Sequence, residues 1–113
     1  MPRKNSLVTS PPYAVEQTIR RLGSNLREAR LRRNLTIKEV AEKIGTGRDA
    51  IIAAEKGKPS TSMAVYTALL WSYDLLRQME TLAAPSTDEE GLALSMRRER
   101  ARAEKPEKLD NDF

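Results

Sequence analysis

Between Thr36 and Gly57 the stretch TIKEVAEKIGTGRDAIIAAEKG carries the start and stop signals of two short helices in direct succession. Thr36 and Glu39 have the S/T-x-x-E spacing of a capping box, which satisfies two amides that a helix start leaves orphaned. Ile37, Val40, Ala41 and Ile44 follow at helical spacing and line one face. Gly45 suits a left-handed stop. Thr46 or Gly47 then caps a second helix, Arg48 to Lys56, which Gly57 ends and Pro59 prevents from continuing. Small Ala41 lets the second helix cross close above the first, and Ile51 packs beneath it.

The flanking segments are helical too. From Ala14 to Arg33, Val15, Ile19, Leu22, Leu26 and Ala29 recur at spacings of three and four, with basic residues around them. Gly23 interrupts this run at about 1 kcal/mol relative to Ala; a kink, a split into two helices and a close contact each account for it. Asn34 suits the helix end. STSMAVYTALLWSY predicts a helix capped by Ser60 or Thr61, and DLLRQMETLAA a short fifth helix capped by Asp74. Residues 1–12 read as a flexible arm, with Ser10 as N-cap and Pro11 at the first helical position as an alternative start. Pro85 marks a boundary, and residues 84–113 read as a partly disordered charged tail. Within that tail Ser86 or Thr87, with Glu89 or Glu90, could cap a short helix. There is no internal repeat and no convincing strand. The expected fold class is all-α, with one domain over residues 13–83.

Composition bounds the chemistry. Cysteine and histidine are both absent, which removes thiol chemistry, Cys-based metal sites, the commonest general base near neutral pH and the commonest transition-metal ligand. The acidic cluster Asp88, Glu89, Glu90 sits in an expected loop without a pocket. No enzyme activity, cofactor or metal site is expected. No apolar run approaches the roughly 20 residues of a membrane helix, and the basic start lacks the apolar centre of a signal peptide, so a cytoplasmic protein is expected. The net charge of +4 is unevenly placed: residues 17–58 hold eleven Lys/Arg against five Asp/Glu, whereas residues 74–94 hold one against five. A basic domain points to a polyanion, with nucleic acid the default and a solvated helix surface the alternative.

Two short helices around a glycine turn, with the motif over about residues 36–56, form the helix-turn-helix outline. From Leu22 to about Leu76 the chain resembles the Cro/repressor (Xre) family of helix-turn-helix proteins. The resemblance lies in LREAR at the end of the first helix, in LTIKEVAEKIG, and in RDAIIAAEKGK with its terminal Glu-x-Gly. It implies a five-helix DNA-binding domain on double-stranded DNA and an ion pair between Arg30 and Glu55. It places Thr36, Ile37 and Lys38 beside one phosphate, at a helix N-terminus where free amides favour anions, and Ser60 and Thr61 beside another. Lys56 and Lys58 are further candidate phosphate contacts. Thr46, Gly47, Arg48, Asp49, Ile52 and Ala53 fall on the turn and the recognition helix.

Several positions depart from the family pattern. Position 37 is Ile where Gln is common, position 47 is Gly where Ser or Thr is common, and positions 52 and 53 are Ile and Ala where polar residues are common. A helical projection puts Ile51 and Ala54 on the buried side. It puts Arg48, Asp49, Ile52, Ala53 and Lys56 opposite, so Ile52 and Ala53 are predicted to be exposed. In a major groove Arg48 can bind guanine, Asp49 can accept from cytosine, and Ile52 or Ala53 can touch a thymine methyl. Packing of Ile52 on a neighbouring helix or a protein partner is the alternative.

Such domains usually bind two half-sites as a dimer. The apolar surface of Leu69, Leu70, Trp71, Tyr73, Leu75, Leu76 and Met79 is expected to supply part of a homodimer contact as well as core. The tail, from the Ala-Pro through the acid-acid-Gly-Leu-Ala-Leu run to the Leu-Asp-Asn-Asp-Phe end, resembles the extension of HipB-like antitoxins. That resemblance implies an autorepressor of a toxin–antitoxin operon that docks a HipA-like kinase toxin or an accessory antitoxin subunit. A general Xre-type regulator without a toxin partner, or a protein-interaction subunit with little base reading, are the alternatives.

Overall fold

The computed structural model describes residues 6–104. Among them are six α-helices: α1 (Ser6–Thr9), α2 (Tyr13–Arg32), α3 (Ile37–Ile44), α4 (Arg48–Glu55), α5 (Met63–Ser72) and α6 (Glu89–Glu104). Two 3-10 turns, Leu76–Met79 and Pro85–Thr87, separate the last pair, and the described residues contain no strand. The chain divides into two compact units, one ending at Arg77 and the other beginning at Gln78. The first therefore ends short of the Pro85 boundary.

The core of the first unit comes from four helices. Leu26 and Ala29 of α2, Val40 and Ala41 of α3, Ile51 and Ala54 of α4, and Tyr66, Leu69 and Leu70 of α5 are buried, with Tyr73 just beyond. In α2, α3 and α4 the spacing of these positions makes the helix one-sided, whereas α5 is apolar nearly all round, and no helix as short as α3 or α4 is stable without such burial.

Gly23 does not split α2, which runs unbroken for 20 residues. A Cβ there would stand 2.5 Å from the Ala54 carbonyl oxygen and 2.7 Å from the Gly57 nitrogen. The missing side chain is what lets α2 meet the end of α4. Gly57 faces it from the other side, at φ +67°, where a Cβ would lie 2.5 Å from the Arg20 Cα. This close crossing brings Arg30 within reach of Glu55.

Several expected helix boundaries move. The cap of α2 is Pro12, with no side-chain hydrogen bond, so Ser10 and Pro11 lie before the helix. Within the stretch read as a flexible arm, Ser6–Thr9 form one helical turn; residues 1–5 lie outside the described residues. Ser62, and not Ser60 or Thr61, caps α5, its hydroxyl accepting from the Val65 amide at 3.3 Å. Asp74 does not start a fifth helix. It adopts φ +58° and closes α5, with the Leu75 amide reaching back to the Leu70 carbonyl, and only a 3-10 turn follows.

The last carbonyls of α5 are satisfied from elsewhere in the chain. Lys43 Nζ donates to the Ser72 carbonyl at 3.0 Å and an Arg33 guanidinium N–H to the Tyr73 carbonyl at 2.9 Å. Two cations thus meet the negative end of the helix dipole. The α5 segment has no basic residue of its own in its last turn.

In the second unit the segment read as a partly disordered tail contains the 16-residue α6. Its cap is Asp88, whose carboxylate accepts from the Gly91 amide at 2.9 Å, and not Ser86 or Thr87. Glu89 and Glu90 at its start and Arg102 near its end suit the helix dipole. No residue of α6 is buried, and Leu92, Leu94 and Met96 are exposed. Residues 105–113, which include the Leu-Asp-Asn-Asp-Phe end, lie outside the described residues.

Candidate nucleic-acid interface

The capping box sets the start of α3. The Thr36 hydroxyl accepts from the Glu39 amide at 3.0 Å, and the Glu39 carboxylate accepts from the Thr36 amide at 3.1 Å. Gly45, at φ +80°, ends the helix, and the Gly45 and Thr46 amides both donate to the Ala41 carbonyl at 3.0 Å. The chain then turns through extended Gly47 into α4. Gly47 offers no side-chain oxygen, so the first amides of α4 have no side-chain cap. Asp49 in that first turn is well placed against the positive helix end.

This turn leaves Gly47, Arg48 and Asp49 exposed at the start of α4, with Thr36 and Lys38 exposed at the start of α3. Lys56, Lys58 and Ser60 are exposed after α4. Thr46 and Ile37 are half-buried. The capping box already engages the Thr36 and Glu39 amides, so the anion-facing donors remaining in the first turn of α3 are the amides of Ile37 and Lys38.

Two residues sit differently from their expected places. Ile52 and Ala53 are half-buried, not exposed. Ile52 shares a cleft of about 260 Å³ with Ile37, Arg27, Arg30, Glu55 and Lys56, because α4 crosses α2 and α3 closely enough to shelter that side of it. Thr61 turns its hydroxyl oxygen into the protein, against the Tyr66 phenol, and its amide donates to the Lys58 carbonyl. The Tyr66 hydroxyl itself donates to the Lys58 carbonyl at 3.2 Å. Of Ser60 and Thr61, only Ser60 is exposed to solvent.

Beneath the interface lies the Arg30–Glu55 pair, with side chains 9% and 6% exposed. Nε of Arg30 donates to one carboxylate oxygen at 2.7 Å, Nη2 to the other at 3.1 Å, and Nη1 to the Leu35 carbonyl at 2.9 Å. The bidentate bond to Glu55 holds the Arg30 pKa above its ordinary value, outweighing desolvation. This clamp ties α2 to the end of α4 and fixes the tilt at which α4 is presented. Next to it, burial pushes the Tyr73 phenol up to about 12, with the Glu55 charge adding to the effect. Among the described residues the Tyr73 hydroxyl has no hydrogen-bond partner. The Arg30–Glu55 pair was expected, but residue types along the chain gave no sign that Tyr73 lies beside it.

The N-terminal turn also borders this region. Val8, Ser10 and Pro11 line a cleft together with Arg20, Lys56 and Lys58. Among the described residues no group of His, Cys, Asp or Glu is arranged to hold a metal ion, and no helix is long and apolar enough to cross a membrane.

The helix-turn-helix family model matches residues 26–70, from the second half of α2 through most of α5. No curated protein and no solved structure matches the chain. The matched segment contains the two short helices, the glycine turn and the Arg30–Glu55 clamp. The architecture is the all-α, Cro/repressor-type helix-turn-helix fold, and the domain marks the chain as a DNA-binding regulator.

Proposed function

We propose that this chain is a sequence-specific transcriptional repressor that binds its operator as a homodimer. The observation that carries this reading is the presentation of α4. Its inner side, Ile51 and Ala54, is fully buried, its far end is clamped by Arg30 and Glu55, and its first turn projects Arg48 and Asp49 into solvent. A rigid helix with a charged, exposed N-terminal end is suited to the major groove, where Arg48 can bridge guanine O6 and N7 and Asp49 can accept from cytosine N4. Thr36, Lys38, Lys56, Lys58 and Ser60 surround that end and suit phosphate oxygens. Trp71, 53% exposed with Lys43 Nζ 5.6 Å from its ring centre, and Leu76 give α5 and the following turn an apolar outer face suited to a second copy.

The proposed biological class is an antitoxin-like autoregulator resembling the HipB type. Its support is the tail sequence after Pro85, together with the uncovered Leu92, Leu94 and Met96 on α6, which suit docking to a protein such as a HipA-like kinase. Deletion of residues 84–113 is expected to abolish capture of that kinase while sparing DNA binding; full capture by the truncated chain would reject the tail's role.

The DNA reading is tested by selecting duplexes from a random library with the full chain and comparing the selected duplex with a scrambled one. Arg48→Ala is expected to weaken the selected duplex roughly tenfold or more, corresponding to a base contact of about 1–3 kcal/mol, and to weaken the scrambled one far less. Equal losses on both would show that Arg48 does not specify sequence.

A further inference from the structure

The cleft beside the N-terminal turn gathers charges that lie far apart along the chain. Arg20 of α2 lines it together with Lys56 and Lys58 from the corner after α4, and Ser10 and Pro11 close one side of its 280 Å³. Glu16 is the one carboxylate in its lining, and Arg20 already holds it at 2.9 Å. The ammonium groups of Lys56 and Lys58 have no acceptor among the described residues, and Ser10 is exposed beside them. Three cations against one engaged carboxylate leave a surplus of two positive charges.

Backbone packing holds these cations together. Gly57 lies so close to α2 that a Cβ on it would stand 2.5 Å from the Arg20 Cα. Arg20 and the Lys56–Lys58 corner therefore cannot separate to relieve their repulsion without opening the crossing of α2 with α4. An anion relieves it instead, and meets donors whose backbone positions are already fixed. The cleft also continues the nucleic-acid face. Lys56 borders both this cleft and the one beside Ile37 and Ile52, where Arg27 stands exposed. Arg20 and Arg27 are seven residues apart, within about 20° of the same face of α2 and roughly 10 Å apart along its axis. Positive charge thus runs from the outer side of α4 past its end to the N-terminal turn. A DNA backbone is a ligand whose anions stand in such a row.

We propose that this cleft seats a backbone phosphate of double-stranded DNA flanking each half-site, with Arg20, Lys56 and Lys58 as its donors. Arg20 and the N-terminal turn lie outside the matched segment, residues 26–70, so the bound surface extends beyond the helix-turn-helix itself. The inference rests on the DNA-binding reading above.

The test uses the full chain and the duplex it selects from a random library, lengthened at both ends. Backbone phosphates are replaced one at a time by uncharged methylphosphonates. In wild type, one replacement in each flank is expected to weaken binding roughly two- to fivefold. In Arg20→Gln, checked for folding by circular dichroism, the same replacement should cost little further. The slope of log affinity against log salt should fall by about one per protomer in that variant, with equal loss on selected and scrambled duplexes. Arg20→Lys should keep the wild-type slope. If Arg20→Gln retains the wild-type slope and the full response to every methylphosphonate, the proposal is overturned while DNA recognition stands. If inorganic phosphate or adenosine monophosphate shifts the Arg20 and Gly57 amide NMR signals and no flanking position couples to Arg20, the site belongs to a soluble phosphate compound and the DNA assignment is overturned. Failure to select any duplex over scrambled DNA would overturn the DNA reading itself, and the proposal with it.

Discussion

Substituting Gly23 with Ala places a single methyl group between α2 and the end of α4. On intrinsic preference alone the change should stabilise a helix interior by about 1 kcal/mol. The surroundings reverse this. The new carbon would lie 2.5 Å from the Ala54 oxygen, 2.7 Å from the Gly57 nitrogen and 2.8 Å from the Glu55 oxygen, against 3.4 Å or more for ordinary contact. All three atoms are backbone, so no side chain can rotate away, and α4 must retreat by nearly 1 Å. Overpacking of this kind costs about 1–3 kcal/mol, occasionally more, and contact with three backbone atoms places this site at or above the upper end. After the helix preference is subtracted, the expected net loss is about 2 kcal/mol. That corresponds to a Tm roughly 8–16 °C lower for a domain of this size. Thermal and urea unfolding followed by circular dichroism would measure it, with Ser24→Ala at the adjacent exposed position expected to stay within about 0.5 kcal/mol of wild type. Binding to the selected duplex should weaken as well, because the retreat tilts the helix that carries Arg48. A Gly23→Ala protein as stable as wild type, or more so, would refute the close-crossing explanation.

Two further predictions concern the polar layer under the interface. Glu55→Ala leaves the Arg30 guanidinium buried without its carboxylate and is expected to cost about 3–5 kcal/mol, whereas Arg30→Met with Glu55→Met together should cost clearly less than Glu55→Ala alone; additive losses in urea melts would show that the pair is not coupled. Tyr73→Phe removes a buried hydroxyl that has no partner among the described residues and is expected to raise stability at neutral pH by about 1 kcal/mol. The same substitution should alter the alkaline limb. An unfolded phenol titrates near 10 and the folded Tyr73 at about 12. Between those values the unfolded chain has lost a proton that the native chain keeps. The stabilisation is therefore full below about pH 10 and falls as pH rises towards 12. In Tyr73→Phe this fall should shrink to the share belonging to Tyr66, which burial also raises; an unchanged alkaline limb would contradict the assignment.

Local signals were legible because their partners lie within one helical turn. The Thr36–Glu39 capping box, the left-handed Gly45 and Gly57, and the apolar spacing in α2 to α5 act over three or four residues, and the structure contains all of them. Elsewhere a neighbouring cap-competent residue took the expected role. Ser62 caps α5 where Ser60 or Thr61 was expected, and Asp88 caps α6 where Ser86 or Thr87 was expected. Propensity does not discriminate between adjacent hydroxyls and carboxylates that are all competent caps. A short helix was expected in this segment, and the full 16-residue length of α6 was not legible because its apolar residues do not form a sustained stripe.

What settled the rest acts across long separations. Gly23 allowed three explanations until Gly57, 34 positions on, was seen packed against it. The end of α5 depends on Lys43 and Arg33, 29 and 40 positions before the carbonyls they bind. A helical wheel placed Ile52 and Ala53 on the exposed outer side of α4, where the structure has both half-buried. A wheel carries no information about what stands beside the helix, and the crossing of α2 and α3 makes that outer side a sheltered one. Chain-local hydrogen bonding and periodicity thus specified which helices form, and the crossing of α2 with α4 decided which faces remain open for DNA to reach.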